Sequence, residues 1–211
     1  MHIEFLVEEP SAEVALHVIV PRILGSEVSF RIHPHQGKTD LLRKLLNRLR
    51  GYRAWLPEDW RVVVLIDADN EDCRPLKASL EEIARRAGLL TKSEESTGSN
   101  FQVLNRLAIE ELEAWFFGDV GALHSAYPRI SLNLGKKAKY RSPDEIVGGT
   151  WEALERELKK VGYYSSGFSK ISVARDVSIH MAPDRNRSRS FQVFREGLIN
   201  LVGSSHVWSG Q

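Results

Sequence analysis

Two aspartates spaced two residues apart, Asp67 and Asp69, end the apolar run Val62-Val63-Val64-Leu65-Ile66. Short carboxylates at this spacing suit a hard divalent cation, which takes oxygen ligands. Further acids stand where other strands are expected to end: Glu8, with Glu9 as its alternative, and Glu110 or Glu113. In a parallel sheet such strand ends share one edge, where open α/β sheets bind their ligands. Carboxylates drawn together there repel one another unless cations neutralise them. Mg2+, or Mn2+ in its place, fits, because it takes one or two carboxylates and keeps waters for substrate phosphates. Two such ions would activate water and stabilise the leaving oxygen in phosphodiester cleavage. Taken singly, each glutamate is an ordinary helix-start acid favoured by the helix dipole, and the aspartates are ordinary turn residues. Only the set points to a site.

Those acids need a sheet to carry them. The run ending at Asp67 is rich in Val and continuously apolar, as expected of a strand buried on both faces. A first strand is expected at residues 3–7, followed by a helix from Pro10 to about Leu24, with Val14, Ala15 or Leu16, Val18, Ile19 and Ile23 on its apolar side. Alternation over Val28, Phe30 and Ile32 marks a second strand, and Leu41, Leu42, Leu45, Leu46 and Leu49 a second helix whose other side carries Arg43, Lys44, Arg48, Arg50 and Arg53. A third helix is expected at about 75–87 and a short strand at 89–91. A strand at 101–109 then runs into a helix from Glu110, whose Leu112, Trp115 and Phe116 form a packing stripe. The order β-α-β-α-β-α-β predicts an α/β fold: a mainly parallel sheet flanked by helices. The catalytic core is expected to cover residues 1–120. Residues 121–211 would form a helical and basic-loop appendage packed on it, with helices at about 150–161, 169–181 and 191–202 and a frayed tail from Gly203.

The composition bounds the partners. With 42% hydrophobic and 27% charged residues the chain is typical of a globular protein. A net charge of +1 means that any nucleic-acid footprint must be local. No apolar run is long enough to span a bilayer, the start lacks the pattern of a signal peptide, and Cys73 is the only cysteine, so a cytoplasmic protein with no membrane partner is expected. Basic surface is expected at Arg129, Lys136, Lys137, Lys139 and Arg141 and at Arg185, Arg187 and Arg189, with Tyr127, Tyr140, Tyr163, Tyr164 and Phe168 placed to stack on bases. In His33-Pro34-His35-Gln36-Gly37-Lys38-Thr39, the Gly-Lys-Thr lacks the upstream glycine of a P-loop, since position 32 is Ile. Lys38 remains a candidate phosphate ligand beside a helix N-terminus, and His33 and His35 could flank the site.

The phrase Val7-Glu8-Glu9-Pro10-Ser11-Ala12-Glu13 resembles the glutamate motif of Toprim domains in the OLD nuclease branch, and Ile66-Asp67-Ala68-Asp69 resembles the Toprim Asp-x-Asp motif. Asp67-Ala68-Asp69-Asn70-Glu71-Asp72-Cys73, Arg106-Leu107-Ala108-Ile109-Glu110-Glu111-Leu112-Glu113-Ala114-Trp115-Phe116 and Ser188-Arg189-Ser190-Phe191 are similar to domain-of-unknown-function family 4276 over nearly the whole chain. The resemblance implies a Toprim-like sheet, with Glu8 as general base or metal ligand and Asp67 and Asp69 on Mg2+. Glu13, Glu110 and Glu113 would serve as second-site or supporting acids. It also implies a nuclease effector of anti-phage defence paired with an ABC-type ATPase. Glu9 departs from the Toprim pattern, which has glycine there.

The expected function is thus a metal-dependent endonuclease on DNA or RNA, with Glu8, Asp67 and Asp69 catalytic, Glu110 a further ligand, and Lys38, Lys136, Lys137, Arg141 and Arg187 on the substrate. A homodimer is left open. The rivals are an inert binding or sensor subunit of an ATPase complex, and a nucleotide-sugar transferase using the Asp-x-Asp for metal. The latter leaves the basic patches unexplained.

Overall fold

The computed structural model describes residues 1–94, 101–164 and 169–203. The strands β1 (His2–Val7), β2 (Ser29–Pro34), β3 (Trp60–Asp67) and β4 (Val103–Ala108) form one parallel sheet in the order β2-β1-β3-β4. The chain leaves β1 towards one side for β2 and returns to the other for β3. The sheet therefore has its switch point between β1 and β3, where α/β sheets open a crevice at their carboxyl ends.

Helices cover both faces, which is why β3 is apolar at successive positions rather than alternate ones. Ile3, Phe5, Val7, Val63 and Leu65 join the apolar cluster of α1 (Pro10–Leu24) and the later helices. Leu6, Val62, Val64 and Ile66 face α2 (Lys38–Trp55) and α3 (Cys73–Arg86). After β4 come α4 (Glu113–Gly118), α5 (Val120–Ala126), three 3-10 turns between Leu134 and Glu145, then α6 (Thr150–Lys160), α7 (Lys170–Ser178) and α8 (Arg189–Gly203). Side chains from this second half, among them Tyr140, Leu154, Val173 and Phe194, belong to the same apolar cluster as β1 and β3.

Several expected boundaries move. Helix α3 starts at Cys73 rather than near Pro75, because the Asp72 side chain accepts from the Arg74 N–H at 2.9 Å and caps it there. The helix expected from Glu110 starts at Glu113, because Glu110 has φ 60° and pairs with Asp69. On α1 the buried side runs through Ala12, Ala15, Leu16, Ile19 and Val20, with Val14, Val18 and Ile23 half-buried. The expected strand at 89–91 is reduced to a single bridge, Thr91 to Val103. Helix α5 was not expected; Asp119 caps it through the Ala122 N–H at 3.1 Å. The stretch 128–143 is a series of tight turns around buried Leu134 and Tyr140 rather than a free loop. The expected frayed tail lies outside the described residues beyond Gly203, as do residues 95–100 and 165–168.

The loop at 184–190 is a latch. Asn186 Nδ2 donates to Trp115 O at 2.7 Å, and the hydroxyls of Ser188 and Ser190 donate to Asp144 Oδ1 at 2.8 and 2.7 Å. It lies against Gly118, where an added Cβ would stand 2.0 Å from Asn186 Oδ1 and 2.9 Å from the backbone nitrogen of Ser188. Gly118→Ala must push the latch away, at a cost of about 1–3 kcal/mol. Urea unfolding checks this; a variant as stable as the parent would show that the loop gives freely.

Candidate functional site

The register that pairs Val7 with Leu65 sets the ends of β1 and β3 side by side. One step further on, the Asp67 N–H donates to Glu8 Oε2 at 3.2 Å. The turn after β3 is held against the turn after β4. Ala68 N–H donates to Ala108 O at 2.8 Å and Asp69 N–H to Glu110 O at 2.6 Å. Asp69 and Glu110 both adopt positive φ, 50° and 60°, a left-handed conformation that side-chain-bearing residues adopt at some cost. This pairing carries Glu110 into the neighbourhood of Asp69, as the sequence had suggested.

The N-terminus of α2 closes the edge. The loop before it wraps the end of β1: His35 N–H donates to Val7 O and Gly37 N–H to Glu8 O, both at 3.0 Å. Gly37 has φ 87°, open to glycine without strain. Lys38 then meets Asp69 Oδ2 at 2.5 Å and Glu71 Oε1 at 2.8 Å, and also donates to Ala68 O at 3.3 Å. Of the expected substrate-binding cations, Lys38 is the one that reaches this edge among the described residues. The histidines do other work. His35 is buried, with Nδ1 on Val7 O at 2.9 Å, and burial holds its pKa down. His33 pairs with Glu4 on the opposite side of β1 from α1.

The sequence did not single out Glu111 or Lys170. Glu111 anchors the start of α6: its Oε2 accepts from Thr150 Oγ1 at 3.0 Å and from the Trp151 N–H at 2.8 Å. Lys170, the first residue of α7, donates to Glu111 Oε1 at 3.1 Å. It also feels the charges of Glu113 and Glu9, and its pKa is raised because these acids outweigh its partial burial. No local pattern marks a lysine about sixty residues downstream as a member of this group, and only the packing of α7 brings it in.

Glu113 is the unusual member. It is 1% exposed. Neither of its carboxylate oxygens has a hydrogen-bond partner outside its own residue among the described residues. Burial pushes its pKa up to about 7, with Lys170 opposing and Glu111 and Glu9 adding to the rise. Asp67 is held well above the ordinary carboxylate range by burial first, then by the charges of Glu113 and Glu8. Glu8 is raised too, by burial, although the Asp67 N–H partly offsets this. Buried polar atoms are paired in most folded proteins, and an orphaned carboxylate beside other acids calls for a cation.

The fit to a divalent ion rests on that donor set. All the donors are carboxylate oxygens, the hard ligands of Mg2+ and Mn2+. Among the described residues no three His, Cys, Asp or Glu side chains are placed to hold an ion together. Asp69 is occupied by Lys38, and Glu111 by Lys170. Glu9 is the extended residue before α1, its Oε2 accepting from Ser11 Oγ at 3.3 Å. Glu13 sits in the first turn of α1 without a side-chain contact to the other acids among the described residues.

The expected nucleic-acid surface is only partly brought together. Arg187 Nη2 donates to Arg141 O at 2.9 Å, so those two meet. Lys137 and Lys139 are tied to Glu157 at 3.1 and 3.2 Å, and Lys136 is exposed. Two of the tyrosines are a correction. Tyr140 is fully buried and stacked on Phe117, and Tyr127 is buried with its hydroxyl on Asp176 at 2.8 Å. Tyr163 and Tyr164 pack half-buried against Tyr127. The rings of Tyr127 and Tyr140 complete the interior and offer no stacking platform, while the Tyr163 ring lies under the Arg129 guanidinium; Phe168 lies outside the described residues.

Among the described residues, no helix is long and apolar enough to cross a membrane. A family model described as a domain of unknown function (DUF4276) matches residues 7–199. No curated protein and no solved structure matches the chain.

Proposed function

The chain belongs to the family of this domain of unknown function (DUF4276), and from the site it carries we propose that it is a Toprim-like, divalent-cation-dependent phosphodiesterase acting on nucleic acid. The observation that carries the reading is the junction at the switch point: Glu8 bonded to the Asp67 backbone, with orphaned Glu113 the strongest charged neighbour of Asp67. Acids from β1, β3 and the turn into α4 then meet at one edge, where an α/β sheet takes its ligand. Glu8, Asp67 and Glu113 are not placed to hold one ion together in this structure, so they would have to draw in around Mg2+ or Mn2+, with Asp69 and Glu110 at the rim. The bound ion would supply charge for the attacking and leaving oxygens of a phosphodiester.

Glu9, standing where Toprim domains have glycine, has extended backbone with φ −136°. That conformation is open to any residue, so the departure leaves the turn intact. Lys38 would steer a phosphate towards Asp69, and Lys170 holds Glu111 and limits the repulsion at Glu113. Lys170→Met is therefore expected to lower the stability of the metal-free protein by about 1–3 kcal/mol. Mg2+ should then raise its melting temperature by more than it does in the parent. Calorimetric melts with and without Mg2+ check this, and an unchanged increment would remove Lys170 from the site. A partner ATPase and a role in anti-phage defence rest on the family resemblance alone.

The decisive experiment is cleavage of plasmid DNA and of tRNA with Mg2+ or Mn2+, against chelator controls. Metal-dependent cutting of either is expected. A second reading has its own observation: Asp69 and Glu111 are already neutralised by lysines, as suits an inert binding subunit. Titration calorimetry separates the two. No uptake of either ion at millimolar concentration favours the inert subunit.

A further inference from the structure

Helix α2 buries Leu41, Leu45, Leu49 and Tyr52, one stripe at helical spacing. The rest of it is basic: Lys38, Arg43, Lys44, Arg48, Arg50 and Arg53 against Asp40 as its only acid. The whole chain is only +1, so this helix concentrates positive charge that the remainder of the molecule offsets. Arg43 and Lys44 share Asp40 at 2.6 and 2.7 Å, yet the Arg43 side chain stays 73% exposed. Arg50 and Arg53 are exposed and form no ion pair among the described residues. At about 100° per residue, Arg43 and Arg50 fall about 20° apart on one outward strip turned away from Leu45, and exposed Arg53 flanks it about 60° further round.

The start of the helix gives the strip a direction. There Lys38 reaches Asp69 in the candidate site. Like charges crowded on one helix repel until a polyanion covers them, and arginine binds phosphate through a planar fork of donors.

We propose that the outward strip of α2 is a rail for the sugar–phosphate backbone of a nucleic-acid duplex, leading along the helix to the acid edge at its N-terminal end. This rests on the phosphodiesterase reading and names the surface by which that site would receive its substrate. The basic turns at 136–141 would be secondary, since Lys137 and Lys139 already serve Glu157.

The test is binding of a labelled DNA duplex of about 20 base pairs to the full chain in chelator, from about 50 to 200 mM salt. The triple variant Arg43→Gln/Arg50→Gln/Arg53→Gln leaves the acids and Lys38 in place. It should bind about tenfold or more weakly, with the slope of log affinity on log salt reduced by about 2 to 3. Lys136→Gln/Lys137→Gln/Arg141→Gln should change little. Unchanged affinity and slope in the α2 triple variant, with loss in the second triple variant, would overturn the rail. So would tight binding of polyglutamate at α2 with no binding of the duplex, which would make the strip an acidic-protein contact. The enzymatic reading fails separately: wild-type protein that binds through α2 but never cuts with Mg2+ or Mn2+ keeps the rail and loses the phosphodiesterase. Wild-type protein that cuts with the triple variant unimpaired does the reverse.

Discussion

Asp67→Asn is expected to reduce metal-dependent cleavage by about a thousandfold or more, roughly 4 kcal/mol of transition-state stabilisation, while making the metal-free protein more stable. Both effects have one cause. Asp67 sits at the carboxyl end of β3 with burial, Glu113 and Glu8 all opposing its charge. Ionised and without a cation, it costs the fold energy. The amide has almost the same shape and carries no charge, and the Asp67 N–H that Glu8 accepts belongs to the backbone and is untouched. Relief of repulsion of about 1 kcal/mol would raise the melting temperature by about 2–4 °C in a chain of this size. A divalent ion should then stabilise the variant much less than the parent. Cleavage assays and melting curves on the same preparation check this. A variant that cuts like the parent would remove Asp67 from the chemistry, and one that melts lower would mean that its charge is already compensated.

A second large effect is expected at Glu113. Its carboxyl is pushed from an ordinary 4.5 up to about 7. Between those values the folded chain keeps a proton that the unfolded chain releases, so stability falls as pH rises through that window. The slope is about 1.4 kcal/mol per pH unit, so the full loss is about 3 kcal/mol. Asp67, raised for similar reasons, acts in the same direction. Glu113→Gln should remove its own share of the dependence, about 3 kcal/mol, and leave the metal-free protein more stable at pH 8 than the parent. Mg2+ should restore part of the loss at that pH in the parent and little of it in the variant. Urea melts in chelator across pH 4.5 to 8, repeated with Mg2+, make the measurement. A parent whose stability is flat across the window would show that Glu113 is compensated by something other than an ion.

Both predictions exploit a site that is costly to the fold. Like charges share one edge with two lysines between them, and Asp69 and Glu110 hold left-handed backbone. Functional sites are where such local costs accumulate.

The elements of the sheet were legible because their signals are local. Five apolar residues ahead of Asp67 could be a strand buried on both faces, and they are. Leu41, Leu45 and Leu49 could only be the inward side of a helix. The acids at strand ends followed from the same logic, since parallel strands must finish on one edge. What could not be read is where one segment meets another. The start of α4 depends on Glu110 pairing with Asp69. Tyr127 and Tyr140 look available for stacking until their neighbours bury them. Lys137 looks free until Glu157 stands beside it.

The sequence by itself determined the β-α order, the strand that ends in Asp67 and Asp69, and the basic character of α2, because periodicity and propensity act over a few residues. Only the tertiary structure decided which acids share the edge. Among the described residues it left the Glu113 carboxylate without a hydrogen-bond partner beyond its own backbone, brought Lys170 in from α7, and turned Arg43, Arg50 and Arg53 outward on a helix whose first residue, Lys38, pairs with Asp69. Burial and Coulomb forces act through space, between residues as far apart in the chain as Glu9 and Lys170.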